Sequence, residues 1–124
     1  MGIIPSLNYK LVAERIAKGL REYVFKKAKK KTGIIGLSGG LDSTVTTYLS
    51  VKALGRKNVF CYILPSKSTP RADIEDALEV ISRLKLPKQN WEIIPIDGIV
   101  NSFSKLFRKR DKAELGNLKA RIRM

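Results

Sequence analysis

The segment Ser38-Gly39-Gly40-Leu41-Asp42-Ser43 concentrates residue types that handle phosphate. Its two glycines let the backbone close around an anion, and its two serine hydroxyls add donors. Its one carboxylate, Asp42, would repel a phosphate unless a divalent cation lay between them. Mg²⁺ takes one or two carboxylates together with phosphate oxygens and water, so the pattern suits a metal–nucleotide complex. The other reading of the same residues is a glycine-rich turn with a Ser/Asp helix cap. The spacing fits neither GxxxxGK[ST] nor GxGxxG. The chain has no histidine, which excludes histidine triads, histidine-ligated zinc and histidine general bases. Chemistry is left to carboxylates, hydroxyls, backbone amides, Lys, Arg or a metal held by oxygen.

The elements around the segment decide between these readings. Gly33-Ile34-Ile35-Gly36-Leu37 reads as a short buried parallel strand, and a helix follows from about 42 to 54, closed by Gly55 at its C′ position. A strand that ends where a helix begins is the anion site of an open α/β sheet, because unpaired N–H groups and the helix dipole meet there. Upstream, a helix is predicted from Asn8, its N-cap, to about residue 30, with Val12, Ile16, Leu20, Val24 and Ala28 recurring every four residues. It ends in Lys26, Lys27, Lys29, Lys30 and Lys31, cations that complement the dipole of a last helical turn.

Downstream, a second strand covers 58–64 and leads through Pro65-Ser66-Lys67-Ser68 to Thr69 as N-cap and Pro70 at the first helical position. Ile74, Ala77, Leu78, Ile81 and Leu84 form the apolar stripe of that helix. A third strand covers 91–96, with Pro95 marking an edge or a bulge, and Asp97 caps a helix with inner face Ile99, Phe103, Leu106 and Phe107. Residues 116–124 open another helix, with Ile122 and Met124 facing inward. The alternation βαβαβα predicts an α/β fold, a doubly wound parallel sheet with right-handed crossovers and helices on both faces. Three strands are present and one domain spans 1–124. The sheet reads as the first half of such a fold, truncated at the C-terminus.

Composition bounds the rest. At 124 residues and 44% hydrophobic content, one domain can bury a core without a disulfide staple. The single Cys61 allows no internal disulfide, and a reducing cytoplasm is the expected compartment. No apolar run approaches a membrane span and no secretory signal is present, so no membrane partner is expected. The net charge of +14 attracts polyanions, or is a solvated lysine-rich surface. No aromatic residue interleaves with residues 26–31, so nucleic acid is not expected as a partner. Cys61 and Trp91 read as core residues, and Asp73, Glu75, Asp76 and Glu79 as the acidic start of a helix.

Gly36-Leu37-Ser38-Gly39-Gly40-Leu41-Asp42-Ser43 resembles the SGGxDS pyrophosphate loop (PP-loop) of the ATP pyrophosphatase superfamily, whose members split ATP between its α and β phosphates. Gly116-Asn117-Leu118-Lys119-Ala120-Arg121-Ile122-Arg123-Met124 resembles the GNxKARxRM segment of the NAD synthetases, and Leu64-Pro65-Ser66 also suits them. Together these segments are similar to the ammonia-dependent form. The resemblance implies a Rossmann-like fold of the adenine nucleotide alpha hydrolase kind, a homodimer, and ATP, deamido-NAD and ammonia as substrates. The deamido-NAD carboxylate would attack ATP at the α phosphorus, and ammonia would displace AMP from the adenylate. It further implies that Gly36, Leu37, Ser38, Gly39, Gly40, Leu41, Asp42 and Ser43 bind ATP. Ser38, Asp42 and Ser43 would serve the chemical step, Asp42 would hold Mg²⁺, and Arg121, with Arg123 and Asn117, would contact deamido-NAD. The family's later part supplies a second Mg²⁺ ligand and further phosphate contacts, so these residues alone are expected to make little NAD. A tRNA-modifying ATP pyrophosphatase and a catalytically incomplete nucleotide-binding fragment are the alternatives.

Overall fold

The computed structural model describes residues 8–105 and 112–124, the first four of the latter as helix backbone only. Helix α1 (Tyr9–Glu22) starts as predicted, with the Asn8 Oδ1 accepting from the Leu11 N–H at 3.2 Å. Its buried stripe runs through Ala17, Leu20 and Val24, whereas Ile16 is 48% exposed. A series at every fourth position advances about 400° per step and so drifts off any one face. The helix ends in a wider π-turn, Tyr23–Lys27, and Lys29 stops it in the left-handed region at φ 53°. The predicted Ala28 therefore lies past the inner face, exposed.

Strand β1 (Gly33–Gly36), helix α2 (Leu41–Leu54), strand β2 (Val59–Ile63), helix α3 (Arg71–Leu84) and strand β3 (Trp91–Ile93) follow. The three strands are parallel in the order β1-β2-β3. Ile35 pairs with Cys61, and Cys61 with Trp91. Val59, Cys61 and Ile63 point to one face, where they pack with Ala53 and Leu54 of α2 and Ala77, Val80 and Ile81 of α3. Two right-handed crossovers stepping in the same direction place both helices on that face. The described residues are thus one winding of a parallel α/β sheet. On the other face Ile34 is 73% exposed, so β1 alternates and is not the strand buried on both sides that its composition suggests.

Helix α2 closes at Gly55 (φ 86°), as its sequence requires. Helix α3 instead closes on Lys85 in the left-handed region. Its N-terminus departs from expectation, because Thr69 does not cap it: the Thr69 Oγ1 accepts from the Ser66 N–H at 3.0 Å and closes the preceding loop. Strand β3 is shorter than predicted. The Ile94 and Ile96 N–H groups still reach the Ile63 and Pro65 carbonyls, at 2.8 and 2.9 Å, while Pro95 has no N–H to continue the ladder. Of the two readings of Pro95, an edge or a bulge, the edge matches the described residues, among which β3 lies at one side of the three-stranded sheet.

Helix α4 (Asp97–Ser104) buries Val100, next to the buried Ile96, and leaves Ile99 and Phe103 each 46% exposed, contrary to the predicted inner face. Leu106 and Phe107, also assigned to that face, lie outside the described residues. Helix α5 (Lys112–Arg123) begins earlier than expected and carries Gly116 in its interior. Leu118 and Ile122 are half-buried, while Met124, expected inward, is fully exposed just beyond the last helical turn. No helix among the described residues is long and apolar enough to cross a membrane.

Candidate nucleotide site

The segment 38–43 bridges the end of β1 and the first turn of α2. Gly40, in extended backbone, is the N-cap, and the first intrahelical bond runs from the Thr44 N–H to the Gly40 carbonyl at 3.2 Å. The N–H groups of Leu41, Asp42 and Ser43 precede that bond and have no intrahelical acceptor, which is the arrangement that receives an anion. The loop braces itself. The Ser38 Oγ accepts from the Gly40 N–H at 3.2 Å, the Ser43 Oγ accepts from the Ser38 N–H at 3.1 Å, and the two hydroxyls stand 2.9 Å apart. The Thr44 hydroxyl donates to the Gly40 carbonyl at 2.7 Å. Gly39 sits at φ 85°, and a Cβ there would strike the carbonyl oxygen of Asp73 in the first turn of α3. That close approach fixes the loop against α3 and explains the glycine.

A cleft of about 300 Å³ opens beside this loop. Its walls include Leu37 and Ser38 after β1, Leu64, Pro65 and Ser66 after β2, Asp73 and Ile74 in the first turns of α3, and Arg123 of α5, so one carboxylate and one guanidinium line it. A smaller recess of about 180 Å³ shares Leu37, Ser38, Leu64 and Arg123 and adds Gly36 and Tyr62. Both lie at the carboxyl ends of β1 and β2, where open parallel sheets bind ligands. Walls that mix apolar side chains with hydroxyls and charged groups suit a nucleoside, and the adjoining loop suits its phosphates.

Asp97, predicted as a helix cap, reaches elsewhere. Its Oδ1 accepts from the Lys67 N–H at 2.9 Å and pins the loop between β2 and α3. The Ser66 and Ser68 hydroxyls meet at 3.0 Å in the same loop, and Lys119 of α5 donates its Nζ to the Ser68 Oγ at 2.9 Å. Arg123 donates its Nε to the Leu64 carbonyl at 2.9 Å. Lys119 and Arg123, four residues apart, therefore share the face of α5 that lies on the cleft. Asn117 and Arg121 share a different face, since Arg121 and Arg123 are roughly 200° apart at about 100° per residue. The structure thus separates Arg123 from the other two residues expected to contact the dinucleotide. The spacing of an i, i+4 pair carried that signal, but the acceptors Leu64 and Ser68 are more than fifty residues away and left none.

Asp42 is exposed at the α2 N-terminus and is the sole carboxylate of the loop. Among the described residues no three His, Cys, Asp or Glu side chains converge as a metal cage. One carboxylate beside an anion site fits Mg²⁺ that arrives with phosphate oxygens and does not fit a protein-only site. Cys61 is fully buried. Burial raises its thiol pKa, with a smaller opposing effect from the Thr47 hydrogen bond, so it is a core residue as its strand position implied.

The family model described as NAD synthase matches residues 12–124. An NH(3)-dependent NAD(+) synthetase from Sulfurisphaera tokodaii is 42% identical over 119 residues, which cover 96% of this chain and 41% of the relative. Among solved structures, an NH3-dependent NAD synthetase from Campylobacter jejuni, in complex with the nitrate ion, superposes with a TM-score of 0.85 and 32% identity over 95% of this chain and 49% of that one. A glutamine-dependent NAD+ synthetase from Acinetobacter baumannii, in complex with adenosine diphosphate, gives a TM-score of 0.79 and 30% identity over 89% of this chain and 21% of that one. The chain thus spans less than half the length of the curated relative it matches.

Proposed function

This chain belongs to the NAD synthase family, and on that premise we propose that it supplies the ATP site of an ammonia-dependent amidation of deamido-NAD. The observation that carries the proposal is the braced loop 38–43 at the β1–α2 junction, opening on a cleft of nucleoside size. ATP places its base and ribose in the cleft and its phosphates over the first turn of α2. The N–H groups of Leu41, Asp42 and Ser43 receive the charge there, and the Ser38 and Ser43 hydroxyls turn from each other to the phosphate oxygens. These donors cancel the charge that grows on the departing pyrophosphate. Asp42 would hold Mg²⁺, and the ion when bound would neutralise phosphate charge.

In this reading the deamido-NAD carboxylate attacks the α phosphorus and expels pyrophosphate. Ammonia then attacks the acyl carbon of the adenylate and expels AMP, leaving the amide. Adenylation makes a leaving group of an oxygen that ammonia could not otherwise displace. Asn117 and Arg121, on one face of α5, are the dinucleotide contacts. A second copy of the chain is the proposed assembly partner, and the cytoplasm the proposed compartment. The Acinetobacter baumannii structure with adenosine diphosphate supports a nucleotide in this fold. The test is a titration with MgATP and with deamido-NAD, followed by mixing both with ammonia. Saturable one-site binding of MgATP, and AMP formation that requires both other substrates, are expected. Absence of MgATP binding at millimolar concentration removes the reading.

A further inference from the structure

The loop 36–43 has an electrostatic gap: it carries no cationic side chain, since it contains neither lysine nor arginine and its one charged residue is Asp42. A phosphate-binding loop of this kind needs positive charge from another element. Arg123 is the only cation among the described residues that line the two clefts, and it borders both of them beside Ser38. Its guanidinium is aimed by a fixed contact, the Nε donating to the Leu64 carbonyl at 2.9 Å. That bond uses one of five N–H donors and holds the planar group at the mouth of the recess, leaving the fork at the Nη atoms for an oxyanion. Lys119, on the same face of α5, bonds Ser68 and lines neither cleft.

We propose that Arg123 is an ATP-contacting residue: its Nη groups bind the triphosphate at the end of β1, and the contact belongs to ATP and not to deamido-NAD. The assignment rests on the nucleotide reading of the loop. It makes α5 a helix with two duties. Its Lys119/Arg123 face closes the ATP cleft, and its Asn117/Arg121 face is left for the second substrate.

The experiment titrates ATP, AMP and adenosine into the wild-type chain and into Arg123→Gln and Arg121→Gln. Glutamine keeps a donor for the Leu64 carbonyl but removes the charge. Arg123→Gln is expected to weaken ATP at least about tenfold, the scale of a charged hydrogen-bond contact. Adenosine should bind unchanged, and Arg121→Gln should leave ATP binding unchanged. Equal weakening of ATP and adenosine would overturn the proposal, because Arg123 would then only shape the cleft through Leu64. Unchanged ATP binding in Arg123→Gln would overturn it outright. Wild-type chain that binds no ATP would remove the nucleotide reading along with it, an outcome distinct from either.

Discussion

Gly39 and the Asp73 carbonyl approach so closely that no side chain fits between them. Gly39 also stands at φ 85°, where an L residue is strained. Gly39→Ala therefore meets two penalties, a left-handed backbone costing about 1 kcal/mol or more and a clash with backbone that cannot rotate away. We expect a loss of about 2–4 kcal/mol in denaturant unfolding, together with loss of ATP binding. Gly36→Ala serves as the comparison, since a Cβ there meets nothing within 4 Å. It should leave stability within about 0.5 kcal/mol of wild type. Equal effects of the two substitutions would refute the role given to the Asp73 contact.

The bond from the Lys67 N–H to Asp97, across 30 residues, should be measurable in the same way. Asp97→Ala removes the side-chain link between the loop after β2 and the start of α4, leaving the backbone bond from the Ile96 N–H to the Pro65 carbonyl, and should cost about 1–2 kcal/mol. Asp97→Asn keeps an acceptor and should cost less. Lys67 is exposed, so trypsin can report the local effect. Cleavage after Lys67 should accelerate in Asp97→Ala more than cleavage within α1. Uniform acceleration at all sites would show that Asp97 contributes to global stability only.

Much of this architecture was legible because local rules fixed it. Asn8 caps α1, Gly55 ends α2, Pro95 marks an edge strand, and the 38–43 segment lies between strand and helix, all from residue type and position. What escaped were the choices that depend on distant partners. Thr69 and Asp97 are good cap residues, but each satisfies a loop N–H instead of its own helix. Ile16, Ile99 and Phe103 have the composition of core residues yet remain about half exposed, since spacing alone does not say which side of a helix meets the sheet. The split between Arg121 and Arg123 follows from helical geometry, but only the docked position of α5 shows which face meets the cleft.

Cys61 gives a prediction about pH. Burial lifts its thiol above the ordinary range, against the smaller effect of Thr47, so the unfolded chain releases the proton first as pH rises. The stability this neutral thiol contributes is intact below the unfolded thiol pKa and is lost as pH rises through the folded one. Thiol-reactive probes should therefore label native protein only as fast as it opens. Cys61→Ala should flatten the alkaline decline in stability. An identical decline in Cys61→Ala would assign it to other groups.

Asp42 carries the last prediction. The carboxylate is exposed at the N-terminus of α2, beside N–H groups that attract the same phosphates it would repel. Without a divalent ion, Asp42 should therefore weaken ATP binding; with Mg²⁺ between carboxylate and phosphate, it should strengthen it. Asp42→Asn reverses both terms. We expect metal-free ATP to bind the variant somewhat more tightly than wild type, and the gain brought by Mg²⁺ to shrink by about tenfold, the scale of one charged contact. The measurement is four titrations, each protein with and without Mg²⁺, at one ionic strength so that screening is constant. An equal Mg²⁺ gain in both proteins would show that the ion is carried by the nucleotide alone, and that Asp42 serves only as a dipole-facing residue of the helix.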